Sequence, residues 1–214
     1  MVFSDVSKYR RGGLAAWLVL PWMLCVVGGF VTLWVHAARQ GSLGGPISRW
    51  PAASTLPLHA DLPTLVVFIH PECPCSRATL DHLRPLAAKG DTSIVLVTMT
   101  PPIGESTAPR GVGCHQQIAS LAESPNVIRI EDVGGGEAKR FDVTTSGTCF
   151  LFTPDSRSVF QGGVTSGRGH RGANAGLRMM TDRIGDKSHP AAAHPVFGCS
   201  LETETPAVLP SESP

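Results

Sequence analysis

Runs of apolar residues along the chain predict one long N-terminal helix followed by a mixture of short strands and helices. Residues 12–35 form an uncharged and almost wholly apolar run. A helix of that length rises about 36 Å, more than the roughly 30 Å hydrocarbon core of a bilayer. We therefore predict a transmembrane anchor over residues 12–36, with residues 1–11 ahead of it.

The charges that flank this run predict its orientation. Lys8, Arg10 and Arg11 precede it, whereas only Arg39 follows closely. Because positive charges stay on the cytoplasmic side, the N-terminus is predicted to remain in the cytoplasm. The remainder would then lie in the periplasm or outside the cell, tethered to the inner membrane by a single pass. A cleaved signal peptide is the alternative, although its apolar region is usually only about 7–15 residues long.

Glycine and proline mark the borders of the part that follows the anchor. Residues 37–62 contain three glycines and three prolines and are predicted to be a linker. Residues 186–214 contain five prolines and are predicted to be a largely unfolded tail. A single domain of ordinary small size is left over residues 63–185.

Within that domain, β-branched apolar runs alternate with helical patterns. The predicted elements are a strand at 64–70, a helix at 73–89, a strand at 93–98, a helix at 114–123, a strand at 126–130, a hairpin of strands 148–152 and 158–164, and a helix at 174–184. The first three elements form a βαβ unit. The complete order predicts an α/β, thioredoxin-like, three-layer fold with a central mixed sheet.

Charge and composition exclude two classes of partner. Eighteen Lys and Arg against 17 Asp and Glu give a net charge of +1, so a polycationic surface for nucleic acid is not expected. The six residues from Gly167 to Gly172 match the dinucleotide pattern G-x-G-x-x-G. No following strand completes the βαβ unit that such a site requires, so no dinucleotide is expected.

A Cys-Pro-Cys motif at Cys73 and Cys75 lies between the first strand and the first helix. Cys73 is predicted at or near the helix N-cap, where the helix dipole and free N–H groups favour a thiolate. Dithiol redox chemistry is the favoured interpretation. The alternatives are a structural bridge and a Cu(I) site in which His70 assists the two sulfurs, since Cu(I) prefers thiolates.

The other four cysteines carry weaker expectations. Cys199, in the tail, is predicted either to resolve a mixed disulfide or supply a third metal ligand, or to remain a free thiol. Cys114 begins a predicted helix and is expected to be partly buried, although it is also placed to pair with another cysteine. Cys149 lies in an apolar strand and Cys25 in the anchor, and neither is expected to react.

Four stretches carry a resemblance to a known family. They are HPECPCSRAT at 70–79, FDVTTSG at 141–147, GGVTSGRGHRGANAG at 162–176 and PVFGCSL at 195–201. Together they resemble the thioredoxin-like superfamily and, more narrowly, the membrane-anchored bacterial proteins of the RedB group. The resemblance implies thiol–disulfide exchange, with no bound cofactor, on an exported protein that contains cysteines.

The sequence also departs from the thioredoxin pattern. One residue is missing between the two cysteines, Glu72 stands where a tryptophan is usual, and Val67 replaces the buried acid of the first strand. Gly147 aligns with the cis-proline that normally faces the active cysteines. These departures favour a specialised partner over general thioredoxin activity.

The predicted function is therefore disulfide exchange by an anchored thioredoxin-like domain, with Cys73 attacking and Cys75 resolving. A copper carrier using Cys73, Cys75 and a third ligand is the first alternative. The second is a binding module that keeps the fold without catalysis.

Overall fold

A computed structural model of the chain describes residues 6–100, 114–186 and 190–201, with side chains from Trp17 onward. The chain divides into two units, Met1–Ala38 and Arg39–Pro214.

The first unit is a single helix, α1 (Val6–Ala38). Its segment Trp17–Ala38 has a mean hydropathy of 2.1 over its most apolar window, and no residue of that window is buried. A helix that is apolar all round and makes no protein core is typical of a membrane span. The predicted N-terminal apolar helix is thus confirmed, and it is long enough to cross a bilayer.

A six-stranded mixed sheet forms the centre of the second unit. Its strands are β1 (Thr64–Ile69), β2 (Ser93–Thr100), β3 (Val127–Val133), β4 (Thr148–Phe152), β5 (Ser158–Gly162) and β6 (Ala192–His194). Their spatial order is β3-β2-β1-β4-β5-β6. The first three strands run parallel to one another, β4 runs antiparallel to both β1 and β5, and β6 is parallel to β5.

Helices cover both faces of this sheet. They are α2 (Ser76–Lys89), α3 (His115–Ala122), α4 (Gly136–Arg140) and α5 (Ala175–Gly185). The sheet has a hydrophobic core on each face, and successive side chains of β1 contribute to opposite cores because they point to opposite faces. Leu65 packs with Leu80 and Met180 of the helices, whereas Phe68 packs with Phe141. The domain is therefore a three-layer α/β structure, as predicted.

Residues 47–58 pack on the face of the sheet that carries Phe68 and Phe141, although their composition predicted a linker. Trp50 makes edge contacts with Phe141 and Phe152, at centroid distances of 5.6 and 4.9 Å. The carboxylate of Glu137, at the start of α4, accepts hydrogen bonds from Ser54 and Thr55. These contacts fix the segment on the domain, and its glycines and prolines did not predict them.

The tail also folds back, so the prediction of an unfolded tail is wrong for residues 190–201. Strand β6 adds to the edge of the sheet, Val196 is 1% exposed and Leu201 is 9% exposed. Two apolar side chains and main-chain pairing fix the segment despite its prolines. The rest of the predicted tail, residues 187–189 and 202–214, lies outside the described residues.

Other element boundaries differ by a few residues from the prediction. Helix α2 begins at Ser76 instead of 73, and α3 uses Cys114 as its N-cap. Strand β3 continues to Val133, and the five-residue helix α4 was not predicted.

Candidate thiol site

The Cys-Pro-Cys motif forms the turn that leads from β1 into α2. Cys73 N donates a hydrogen bond to His70 O at 3.0 Å, and Ser76 N donates to Cys73 O at 3.2 Å. Cys75 occupies the N-cap of α2, with helical backbone angles. Cys73, which was predicted at or near the N-cap, lies two residues before it, in a turn that precedes the helix. The N–H groups that begin the helix, at residues 76–78, donate to the carbonyl oxygens of residues 73–75.

The folded-back tail brings a third sulfur to this turn. The Sγ atoms of Cys73, Cys75 and Cys199 all lie within 4.8 Å of one another. Cys73 is buried, at 2% exposure, and the other two are half-buried. Of the two alternatives for Cys199, the structure supports the one in which it reaches the site.

Main-chain pairing holds Cys199 in this position. Ser146 N donates to Cys199 O at 2.9 Å, and Leu201 N donates to Thr144 O at 2.8 Å. An isolated antiparallel bridge joins Thr145 and Ser200 between these two bonds. The backbone of the segment after Gly198 is thus paired like a short strand with the loop that precedes β4.

The three thiols have different affinities for protons. Cys199 donates a hydrogen bond to the Cys73 sulfur, which is the largest cause that lowers the pKa of Cys73 from 9.0 to about 5. Burial opposes this shift, and hydrogen bonds from Ser76 support it. Burial and the negative charge of Cys73 raise the pKa of Cys75. The hydrogen bond that Cys199 donates to Cys73 is the largest cause that raises the pKa of Cys199, and burial is the second. At neutral pH these shifts favour a thiolate at Cys73 and protonated thiols at Cys75 and Cys199.

Two serines that the sequence did not single out support the thiolate. His70 N donates to Ser146 Oγ at 2.8 Å, and Ser146 Oγ lies 2.7 Å from Ser76 Oγ. When the Ser146 hydroxyl donates to Ser76, the Ser76 hydrogen is available to Cys73, consistent with its effect on the Cys73 pKa. No motif in the sequence marks this relay, because one serine comes from helix α2 and the other from a distant loop.

A cation faces the two protonated thiols. Arg168 lowers the pKa of both Cys75 and Cys199, against the larger effects that raise them. Its buried Nε has no hydrogen-bond partner within the described part of the chain. Arg168 belongs to the glycine-rich segment that matched the dinucleotide pattern, so this segment contributes to the thiol site.

Cys114 supports the turn without joining the cluster. Its backbone N–H donates to Pro71 O at 2.7 Å, and its sulfur also donates to Pro71 O, at 3.4 Å. Burial, followed by the charge of Cys73, raises the pKa of Cys114 to about 12. Burial alone raises the pKa of Cys149 to about 12. These two thiols are neutral parts of the interior, and Cys25 is exposed on α1.

His70, the expected assistant in a copper site, is not part of the group. Among the described residues, the side chains placed to share a metal ion are the three cysteines alone. The chemistry of the alternative copper site therefore changes from two sulfurs and a nitrogen to three sulfurs. Such a set still suits Cu(I), which prefers soft thiolate ligands.

Gly147, which the sequence aligns with the cis-proline, lies in the loop before β4 and next to helix α2. Gly147 has φ +93°, a left-handed conformation that favours glycine, and its N–H donates to Phe68 O at 2.8 Å. All peptide bonds in the described segments are trans. A Cβ at Gly147 would lie 3.2 Å from Thr79 Oγ1, so a larger residue would press on helix α2.

The arrangement of strands around the cysteine turn decides the fold family. Strand β1 leads through the cysteine turn and α2 to the parallel strand β2, while β4 and β5 form an antiparallel pair on the other side of β1. The thiols lie at the junction of β1 and α2, against the loop that precedes β4. The fold of the second unit is thioredoxin-like.

Solved structures share this thioredoxin-like architecture at low sequence identity. An uncharacterized conserved protein from Geobacillus kaustophilus aligns with a TM-score of 0.53 and 17% identity, over 79% of this chain and 95% of its own. A hypothetical protein from Sinorhizobium meliloti 1021 aligns with a TM-score of 0.50 and 19% identity, over 76% and 93%. At these identities the likeness bears on the fold alone.

A weaker likeness is to a secreted Mycobacterium tuberculosis disulfide oxidoreductase homologous to E. coli DsbE. Its TM-score is 0.39 and its identity 18%, over 60% of this chain and 83% of its own. A likeness at that level does not bear on activity. No protein-family model and no curated protein matches the sequence of this chain.

Proposed function

We propose that the chain is a membrane-anchored thiol–disulfide oxidoreductase that acts on an exported protein through its Cys-Pro-Cys motif. The observation that carries this proposal is the position of Cys73 at the turn between β1 and α2, where the Cys199 thiol lies against its sulfur and lowers its pKa. A thiolate is the nucleophile in disulfide exchange, and it needs a second thiol within reach to release its product. Cys75 and Cys199 both lie within 4.8 Å of it.

In the reducing direction, the Cys73 thiolate attacks one sulfur of a disulfide in the partner. A disulfide between Cys73 and the partner forms, and the partner's other sulfur leaves as a thiolate. Cys75 then loses its proton to that leaving sulfur and attacks Cys73. This releases the partner's second sulfur, which takes up a proton from water, and leaves a Cys73–Cys75 disulfide. The partner gains two electrons and two protons. The protein supplies both electrons and the Cys75 proton, and solvent supplies the second proton because Cys73 starts as a thiolate; the reverse sequence oxidises a partner dithiol.

Arg168 is suited to assist the second step. Cys75 must lose its proton before it attacks, and its pKa is raised by burial and by the charge of Cys73. Once Cys73 is tied up in the mixed disulfide, that charge is gone, and the cation of Arg168 then favours the Cys75 thiolate. The order of attack, Cys73 first and Cys75 second, follows from this change.

The location proposed for this chemistry is the outer side of the cytoplasmic membrane. Support comes from helix α1, which is apolar enough to cross a bilayer, and from the basic residues that precede its apolar run. Disulfides persist outside the cytoplasm, where an exported partner meets the domain. The sequence stretches that resemble the RedB group agree with an anchored protein of this kind.

A trapping experiment tests the redox function. We expect the double variant Cys75→Ser, Cys199→Ser of the full-length protein in detergent to form a stable mixed disulfide with a small disulfide protein such as insulin. Neither resolving thiol is then present, so the adduct persists and is seen on a non-reducing gel. The matched control adds Cys73→Ser and should trap nothing. Equal trapping by the control, or none by either variant, would contradict the proposal.

Cu(I) delivery is the second candidate, and the observation that favours it is the grouping of three sulfur ligand atoms. Competition with a chromogenic Cu(I) chelator tests it on the full-length protein. Under this function Cys75→Ser and Cys199→Ser each weaken copper binding, and neither traps a partner. Absence of both copper binding and trapping would leave the non-catalytic binding module.

A further inference from the structure

The end of the described chain blocks access to the proposed nucleophile. We call residues 198–201 the tail strand. Cys73 exposes only 2% of its surface, and the thiol that contacts its sulfur is Cys199 of this strand. An in-line attack on a partner's disulfide requires the partner's sulfur to touch Cys73. The tail strand therefore occupies space that a partner's cysteine needs.

Another chain could make the same backbone hydrogen bonds that hold the tail strand. Its backbone pairs with the loop at residues 144–146 through the two main-chain hydrogen bonds and the bridge described above. Such pairing does not depend on side chains, and it is how sheet edges commonly bind extended peptides. A foreign strand with a cysteine at the position of Cys199 would make the same bonds.

We propose that the tail strand is a built-in occupant of the docking site for the partner's cysteine-bearing strand, and that partners displace it. This inference rests on the proposed function, since it assumes that Cys73 reacts with a partner. It adds the class of partner segment: an extended strand with a small residue directly before the cysteine and an apolar residue two positions after it.

The small residue is required by the approach of the two backbones. A Cβ at Gly198 would overlap the carbonyl oxygen of Ser146, which is backbone and cannot turn aside. Any strand that pairs with residues 144–146 in this register meets the same carbonyl. A partner is therefore expected to carry glycine at this position.

The apolar residue is required by the core beneath the loop. Leu201 is 9% exposed and packs in the same cluster as Phe68 and Phe141. Residues two apart on a strand point to the same side, so Cys199 and Leu201 both face inward. Ser200 instead lines a cavity of about 380 Å³ together with Arg168 and Ser42. The residue between the cysteine and the apolar position is consequently left unspecified.

The reaction with such a segment balances without any further reagent. The Cys73 thiolate attacks the cysteine sulfur of the docked strand, whose disulfide partner leaves as a thiolate. In the test, that leaving group is thionitrobenzoate, carried on the cysteine of a synthetic peptide. One sulfur–sulfur bond breaks and another forms, so no net oxidation occurs.

The probe is the hexapeptide Val-Phe-Gly-Cys-Ser-Leu, which repeats residues 196–201, with its cysteine linked to thionitrobenzoate. The matched peptide replaces the glycine by valine. Release of thionitrobenzoate from each is followed with the full-length protein in detergent at pH 9, where a cysteine of ordinary pKa 9.0 is still half ionised. We expect the glycine peptide to react about tenfold faster than the valine peptide, because only the former fits against Ser146.

A variant of the chain tests displacement separately. Gly198→Ala should unseat the tail strand and raise the rate with the glycine peptide several-fold. Gly185→Ala, where a Cβ meets nothing within 4 Å, is the control and should react like the wild type. Circular dichroism shows whether Gly198→Ala is folded. If the variant is unfolded, the comparison of the two peptides on the wild-type protein tests the proposal instead.

Two results would overturn the inference while leaving the proposed function intact. One is an equal rate for both peptides, and the other is a folded Gly198→Ala variant that reacts no faster than the wild type. If Cys73 releases thionitrobenzoate neither from the peptides nor from the free symmetrical reagent, the proposed function itself fails, and the inference with it.

Discussion

Replacement of Cys199 by alanine removes the hydrogen bond that does most to keep Cys73 ionised. In the wild-type protein this bond, helped by Ser76 and opposed by burial, holds the pKa of Cys73 at about 5. Alanine cannot donate, and the cavity it leaves is small. We therefore expect the Cys73 pKa to rise in the variant while the rest of the turn keeps its structure.

The size of the rise follows from the strength of the lost bond. A hydrogen bond to a charged group contributes about 1.5–3 kcal/mol. Since one pKa unit corresponds to about 1.4 kcal/mol, the midpoint should move up by about one to two units. The bonds from Ser76 remain, so the pKa should stay below the ordinary 9.0 of a cysteine. Cys199→Ser keeps a donor at the same place and should stay close to the wild type.

The assay is the ultraviolet absorbance of the thiolate, titrated from about pH 4 to about pH 10 in the full-length protein. The same titration of Cys73→Ser is subtracted to remove the other groups. A reaction rate at one pH is a poorer measure, because thiolates of higher pKa are fewer but more nucleophilic. An alanine variant whose midpoint equals that of the wild type would refute the assignment of Cys199 as the donor.

Three further predictions follow from the same contacts. Ser76→Ala should also raise the Cys73 pKa in the absorbance titration, but by less than Cys199→Ala, because its contribution is smaller. Glu137→Gln should lower the free energy of unfolding by about 1–3 kcal/mol near neutral pH, as thermal unfolding will show. Burial raises the Glu137 pKa, but hydrogen bonds from residues 54 and 55 and the cation of Arg140 lower it by more. The stabilising contribution of the Glu137 carboxylate is therefore present above the ordinary pKa of 4.5 and is lost as the pH falls below that value. The stabilities of wild type and variant should converge in acid. Cys114, buried and with a pKa of about 12, should resist iodoacetamide in the native protein at pH 8 and react only after unfolding, as peptide mass spectrometry will show.

The strands and the position of the Cys-Pro-Cys turn were predictable, because the buried strands are continuous apolar runs. Residues 64–69 and 93–99 are buried along their whole length, and no other element type explains such short β-branched segments. The turn between the first strand and helix α2 then had to carry both cysteines. The N-terminal apolar helix was predictable for a similar reason, since nothing polar interrupts it.

The role of Cys199 was not predictable beyond a pair of alternatives. What holds it is main-chain pairing with residues 144–146, which leaves no periodic pattern in either segment. The prolines around it predicted an unfolded tail, although the segment is paired with residues 144–146 and Gly198 is required by the close approach to Ser146. The serine relay was missed for the same reason: Ser76 and Ser146 meet only in the folded chain.

Disulfide formation at Cys73 is tested directly by the mass of the intact full-length protein after thiol trapping in graded glutathione buffers, with metal analysed in the same sample. We expect a two-electron loss that titrates within the buffered range, with Cys73 in the disulfide and no stoichiometric copper. Thiols that remain reduced across the series, with about one equivalent of copper bound or with none, would contradict it.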